Sequence, residues 1–135
     1  MCTTASCSAG QVNCGGKCTN PATDTNNCGA CGVVCSNNHI STPTCTSGVC
    51  NGACSQGFAD CNNNKQVDGC ETNISTDTNN CGGCGFVCSA PNGIPGCSNS
   101  VCTVASCNQG FADCNGVAAD GCEININTDS HNCGG

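Results

Sequence analysis

Cysteine falls in register twice along this chain. Cys28, Cys31, Cys35, Cys45, Cys50, Cys54, Cys61 and Cys70 align with Cys81, Cys84, Cys88, Cys97, Cys102, Cys107, Cys114 and Cys122. A phrase said three times carries the same period: Thr23-Asp24-Thr25-Asn26-Asn27-Cys28-Gly29, Thr76-Asp77-Thr78-Asn79-Asn80-Cys81-Gly82 and Thr128-Asp129-Ser130-His131-Asn132-Cys133-Gly134. A period near fifty residues marks an array of small units rather than one globular domain. The N-terminal stretch matches the second half of a unit. Cys2-Thr3-Thr4-Ala5-Ser6-Cys7 resembles Cys102-Thr103-Val104-Ala105-Ser106-Cys107, with Cys14 and Cys18 standing for Cys114 and Cys122. The organisation expected is therefore a half repeat over 1–27, full eight-cysteine repeats over 28–80 and 81–132, and the start of a truncated repeat at 133–135. Cys133 is left as the odd cysteine of 21, available for an intermolecular bridge.

Other side chains cannot hold such units together. The 135 residues include nine Val, five Ile, three Phe and one Met, with no Leu, Trp or Tyr. Burial at about 2 kcal/mol for each of these falls far short of an ordering cost of about 1–2 kcal/mol per residue, so the reduced chain is expected to be disordered. Cysteine changes that expectation, because 21 in 135 is well above the ~8–10 % that signals a disulfide scaffold. Each bridge contributes about 2–4 kcal/mol, without simple additivity. The pairing stays open at this level, since eight cysteines allow on the order of a hundred pairings. Such bonds persist in an oxidising compartment, which places the mature protein outside the cell or on its surface.

No run approaches the ~20 apolar residues of a membrane span. Met1-Cys2-Thr3-Thr4 carries no basic or apolar leader, so an export signal is expected to have been removed or to belong to a longer precursor. A net charge of −7 with only Lys17 and Lys65 speaks against nucleic acid and anionic membrane, which need clustered basic residues. Cations, carbohydrate or another surface ligand fit better, as do neighbouring repeats through self-assembly.

Locally, Cys28-Gly29-Ala30-Cys31-Gly32-Val33-Val34-Cys35 and Cys81-Gly82-Gly83-Cys84-Gly85-Phe86-Val87-Cys88 are too glycine-rich for helix and read as tight turns. The Asp-Thr-Asn-Asn run before each is Asx-turn chemistry. Pro43 to Cys50 and Pro95 to Cys102 read as β-hairpins. A second hairpin is expected from Gly57-Phe58-Ala59-Asp60-Cys61 to Val67-Asp68-Gly69-Cys70-Glu71, and again from Gly110-Phe111 to Cys122-Glu123, with Phe58 and Phe111 as each unit's aromatic contact. The fold class is thus a small disulfide-rich repeat array of short β-hairpins and loops with little or no helix, stacked as an elongated rod or solenoid.

All nine acidic residues occupy repeat-equivalent places: Asp24, Asp77 and Asp129; Asp60 and Asp113; Asp68 and Asp120; Glu71 and Glu123. Asp60, Asn62, Asn64, Gln66, Asp68 and Glu71 stand at positions 1, 3, 5, 7, 9 and 12 of a twelve-residue stretch, the ligand spacing of an EF-hand calcium loop. Lys65 takes the usual glycine position, Cys61 and Cys70 tie the loop into bridges, and no amphipathic helices flank it. The second copy, with Asp113, Asn115, Asp120 and Glu123, is one residue shorter and has Val117 at the third ligand position, while Cys14-Gly15-Gly16-Lys17-Cys18 drops loop and acids together. A plain hairpin with Asn and Asp-Gly turns is the first reading; calcium at Asp60–Glu71, more weakly at the second loop, is the alternative.

Cys28-x2-Cys31-x3-Cys35 and its second copy also match thiolate spacings of zinc and iron–sulfur sites. The paired knuckles and histidines of a zinc module are missing, neither Cys-x2-Cys is followed by His as haem attachment requires, and a thioredoxin-like site would need a βαβ context. Disulfides are therefore the expected state of Cys2, Cys7, Cys14, Cys18 and the sixteen cysteines of the two full repeats. His39 and His131 are the only histidines and belong to no set of nucleophile, base and orienter, so no enzyme is expected. Asn73-Ile74-Ser75 is an N-glycosylation sequon.

Asp68-Gly69-Cys70-Glu71, Asn80-Cys81-Gly82-Gly83-Cys84-Gly85 and Gly110-Phe111-Ala112-Asp113-Cys114-Asn115, in that order and spacing, resemble a family of bacterial cysteine-rich repeats of the kind found in large secreted or surface proteins of myxobacteria. The resemblance covers nearly the whole chain; the first half-unit departs from it. It implies an extracellular array, structural or adhesive, with no assigned catalytic residues. The function expected is a non-enzymatic extracellular structural protein, a stapled rod serving as surface stalk, matrix component or filament subunit. A calcium-dependent adhesion module and a thiolate metal-binding protein are the alternatives.

Overall fold

The structure, a computed structural model, describes residues 6–131. Cys2, Cys133 and the segment 133–135 lie outside the described residues. Ten short strands and no helix are formed among those described: β1 (Val12–Cys14), β2 (Lys17–Thr19), β3 (Thr44–Thr46), β4 (Val49–Asn51), β5 (Phe58–Ala59), β6 (Thr72–Asn73), β7 (Gly93–Ser98), β8 (Val101–Cys107), β9 (Phe111–Ala112) and β10 (Ile124–Asn125). They pair in sequence as five antiparallel two-stranded sheets. The expected class of short hairpins and loops stapled by disulfides is the one observed.

Three of the hairpins turn through two residues that both have positive φ: Gly15-Gly16 between β1 and β2, Ser47-Gly48 between β3 and β4, and Asn99-Ser100 between β7 and β8. That backbone matches the right-handed twist of the flanking strands, which is why small or Asn residues stand there. The β1–β2 hairpin was not expected from the sequence; its signal is the Gly-Gly pair between two cysteines. β7 and β8 are the longest strands, and the register shifts between Ile94 and Pro95, a bulge of the kind that accommodates proline in a strand.

The second pair of hairpins departs from expectation in its return strands. β6 and β10 begin past Glu71 and Glu123, at Thr72 and Ile124, instead of running from Val67 or ending at Glu123. The Asp-Gly-Cys stretch is engaged elsewhere. Cys70 N–H donates to Asn38 O at 3.0 Å, and Asn38 Nδ2 to Asp68 O at 2.8 Å. In the second copy Cys122 N–H donates to Pro91 O at 2.8 Å. These backbone groups are already satisfied, so the ladder forms only beyond them. Phe58 in β5 and Phe111 in β9 are half-buried at equivalent places.

Packing divides the chain into two compact units, Met1–Gln56 with Asp60–Glu71, and Gly57–Ala59 with Thr72–Gly135. Eight of the ten buried apolar residues described are cysteine; the others are Ile40 and Ala90. Cys70 and Cys122 are fully buried, each at the equivalent point of its unit. The interior is sulfur, as the shortage of large aliphatic residues requires.

Candidate functional site

The disulfides are the first constellation to place. In the first unit the bridges are Cys7–Cys18, Cys14–Cys31, Cys28–Cys45, Cys35–Cys50 and Cys54–Cys70. The second unit repeats three of these as Cys81–Cys97, Cys88–Cys102 and Cys107–Cys122. Cys61, Cys84 and Cys114 are also disulfide-bonded, which accounts for every described cysteine. The pairing that sequence left open obeys the repeat, and Cys7–Cys18 is the counterpart of Cys54–Cys70 and Cys107–Cys122. Cys28–Cys45 and Cys35–Cys50 cross in sequence, so the two closed loops share residues 35–45. Cys28, Cys35, Cys45 and Cys50 form one buried cluster. Cys31, by contrast, is exposed and pairs with Cys14. The Cys28-x2-Cys31-x3-Cys35 set is therefore split three ways, and its spacing does not gather one ligand sphere.

The thrice-repeated phrase orients this cluster through side-chain relays. Asp24 Oδ1 accepts from Asn26 N–H and Oδ2 from Asn27 Nδ2, both at 2.9 Å, and Asn27 Oδ1 accepts from Gly32 N–H at 2.9 Å. Asp77, Asn79, Asn80 and Gly85 repeat all three bonds at 2.8–2.9 Å. His131 N–H donates to Asp129 Oδ1 in the third copy, where histidine takes over the backbone-donor place of Asn26 and Asn79. Each of the first two phrases is thus a clamp that folds the cysteine turn onto the preceding Asx turn. Asn27 carries it in both directions, so Asn27→Ala is expected to lower the denaturation free energy of the first unit by about 1–2 kcal/mol. Urea titration against the parent checks this, and Asn80→Ala should act equally on the second unit.

The same bonds set a pH dependence. The Asn27 side-chain amide, and after it the Asn26 backbone N–H, hold the Asp24 carboxyl below its ordinary value; Asn80 and Asn79 do the same for Asp77. A carboxyl lowered in the folded state stabilises above its unfolded pKa, and the contribution disappears as pH falls through the folded pKa. Melting temperature is therefore expected to hold from neutral pH to the ordinary carboxylate range and to decline below it. Asp24→Asn with Asp77→Asn should flatten that decline in melts run from pH 6 to about pH 2.

The two acidic loops share one plan. Asn62 Nδ2 donates to Asp68 Oδ2 at 2.6 Å, as Asn115 Nδ2 does to Asp120 Oδ2 at 2.8 Å. Glu71 Oε1 accepts from Cys61 N–H at 3.0 Å, and Glu123 Oε1 from Cys114 N–H at 3.1 Å. Asp60 Oδ1 and Asn62 Oδ1 both take Asn64 N–H, while Asp113 Oδ1 takes Asn115 N–H and Gly116 N–H. The shorter second loop closes the same Asn–Asp clasp, so the register of the acids has a structural cause: each closes a turn or pins a cysteine amide. Lys65 sends Nζ to Gly52 O at 3.0 Å, and Gln66 lends its backbone carbonyl to Ser36 N–H. Asp68 Oδ1 is buried and has no hydrogen-bond partner.

Asn73 of the sequon accepts from Ser75 and Thr76 N–H. Asn20 and Asn125 make the corresponding Asx turns at 3.0 Å to Ala22 and Asn127, without a sequon. The asparagine is thus required by the turn in every copy, whatever it carries. A groove of about 570 Å³ on the first unit is lined by Thr25, Asn26, Ser36, Asn37, Ser41 and Gln66 together with the apolar Val34, Cys35, Ile40, Pro43 and Val67. Its polar groups are hydroxyls and amides. The relay role of Asn27 and Asn80 and the docking of Asn38 and Pro91 were missed from sequence; the asparagine's invariance across the phrase was the available signal for the first.

No family model, curated protein or solved structure matches this chain.

Proposed function

We propose that the protein is a non-enzymatic extracellular structural component, a disulfide-stapled repeat serving as surface stalk, matrix component or filament subunit, of the bacterial secreted repeat type it resembles. The observation that carries this reading is the interior itself: sulfur crossed in the same way in two successive repeats. Crossed bridges need an oxidising compartment to form and persist, and no helix of the described residues is long and apolar enough to cross a membrane. The acidic side chains, the chain's main stock of reactive groups, are engaged in closing turns and holding amides, which suits a scaffold. Self-association with neighbouring repeats, and carbohydrate at the hydroxyl- and amide-lined groove, are the partners this chemistry suits.

The test is intact mass of protein from its native source, denatured without reductant and alkylated, together with its fractionation between medium, surface and cytoplasm. Surface or medium protein with at most one alkylated thiol per chain supports the reading. Many free thiols, or protein confined to the cytoplasm, would contradict it.

A second reading has its own observation. The buried, unpartnered Asp68 Oδ1 sits in the loop whose spacing suits calcium. Calcium held by Asp60, Asn62, Asn64, Gln66, Asp68 and Glu71 would raise the melting temperature, by about 2.7 kcal/mol of stabilisation at a hundredfold excess over Kd. Superimposable melts in calcium and in chelator remove this reading and leave the first intact.

A further inference from the structure

The four sulfurs of each crossed pair are placed by two rigid pieces. In the β3–β4 hairpin Cys45 stands directly opposite Cys50, and both are buried while Thr44, Thr46, Val49 and Asn51 are exposed. Both sulfurs therefore leave the same face of the ribbon. They are not joined to each other. The cysteine turn supplies the other two, fixed by Cys28 N–H to Val33 O at 2.8 Å and Cys35 N–H to Thr25 O at 2.8 Å. The sulfurs of Cys28, Cys35 and Cys50 lie within 4.8 Å of one another, and Cys45 Sγ is bonded to Cys28 Sγ at 2.08 Å. The second repeat does the same with Cys81, Cys88 and Cys102, Cys97 being bonded to Cys81 and opposite Cys102.

We propose that each crossed pair is also a latent tetrathiolate site for a zinc-class cation, formed by Cys28, Cys35, Cys45 and Cys50 in one repeat and by Cys81, Cys88, Cys97 and Cys102 in the next. A tetrahedral Zn–S₄ centre with bonds of about 2.3 Å has sulfur–sulfur edges of about 3.8 Å. Three of the four sulfurs in each repeat already stand within 4.8 Å of one another, and the fourth is bonded to one of those three, so the hairpin and the turn can bring all four to one centre. The set is not the one that sequence spacing suggests, because Cys31 stands outside it. Four thiolates select soft cations over calcium or magnesium; the set is buried in the first repeat, while Cys97 and Cys102 are half-buried in the second.

The state concerned is the chain before its thiols are oxidised, or returned to reducing conditions. Each disulfide takes two electrons from a phosphine, which becomes the phosphine oxide with water supplying its oxygen and the two protons of the thiols. Four thiols then bind one divalent cation and release four protons. The reduced repeat has too little apolar surface to fold alone, and the cation supplies the cross-link that the bridges no longer provide. This inference rests on the bridge geometry and not on the extracellular role, so loss of one leaves the other standing.

The test is titration of the phosphine-reduced full chain with Co²⁺, followed by its visible absorption as a tetrahedral thiolate complex and by chromatographic elution volume. Two equivalents are expected to bind with compaction, and none with the oxidised protein. Cys35→Ser with Cys50→Ser should lose one equivalent of the two; Cys54→Ser with Cys70→Ser should lose none. Absence of the tetrahedral spectrum from the reduced parent, or an equal loss in both variants, overturns the proposal.

Discussion

Replacing Cys28 and Cys45 together by serine is expected to cost the first unit about 3–5 kcal/mol and to leave it largely unfolded at 37 °C. The bridge spans 17 residues, for which loop closure alone accounts for about 3 kcal/mol. The remainder comes from two hydroxyls placed where the sulfurs were 2 % and 8 % exposed, in a cluster with few groups to bond them. Crossing enlarges the effect, because residues 35–45 are then closed by one bridge instead of two. Cys7→Ser with Cys18→Ser removes a bridge of separation 11 between half-buried residues and should cost clearly less. Amide dispersion in two-dimensional NMR spectra and protease resistance, measured on both variants, check the order.

The second large effect belongs to the Asp-Gly-Cys-Glu phrase. Gly69 has φ +76°, and a Cβ there would run into Asn38 O and stand 3.0 Å from Asn38 Cβ. Gly121, with φ +70°, meets Pro91 O and Pro91 N in the same way. Positive φ alone costs an L-residue about 1–2 kcal/mol. The collision adds the docking bonds of Asn38, which must break for the segment to withdraw. Gly69→Ala is therefore expected to destabilise by more than about 3 kcal/mol, whereas Gly85→Ala, with φ +73° and open space around it, should show about 1–2 kcal/mol. Guanidinium unfolding of the two variants separates collision from backbone strain; equal losses would contradict the docking of Asn38 on Gly69.

Those two results mark the limit of what the chain discloses before it is folded. The fold class follows from composition, because a chain without Leu, Trp or Tyr has only sulfur to bury, and the cysteine register carries directly into equivalent bridges. The hairpin turns at Ser47-Gly48 and Asn99-Ser100 follow from turn chemistry. The pairing does not follow, since nothing local tells Cys45 to ignore Cys50 across its own hairpin and seek Cys28. The return strands were misplaced because Gly69 reads as a turn, while its use is to admit the backbone of Asn38, some thirty residues away. The acidic register, for which turns are the first reading and calcium the alternative, goes into clasps and turns: Asp68 and Asp120 clasp Asn62 and Asn115, and Glu71 and Glu123 hold cysteine amides. Asn73 shows the same lesson, a sequon whose asparagine recurs as a turn residue where no sequon exists.

The most direct test of the sulfur interior is disulfide mapping of oxidised protein, digested with pepsin at acid pH, where thiol exchange is suppressed, and sequenced by mass spectrometry without reduction. Peptides joining Cys28 to Cys45 and Cys35 to Cys50, with their counterparts Cys81 to Cys97 and Cys88 to Cys102, are the predicted result. Peptides joining Cys45 to Cys50 across the hairpin, or Cys28 to Cys35 within the turn, would contradict the crossed interior.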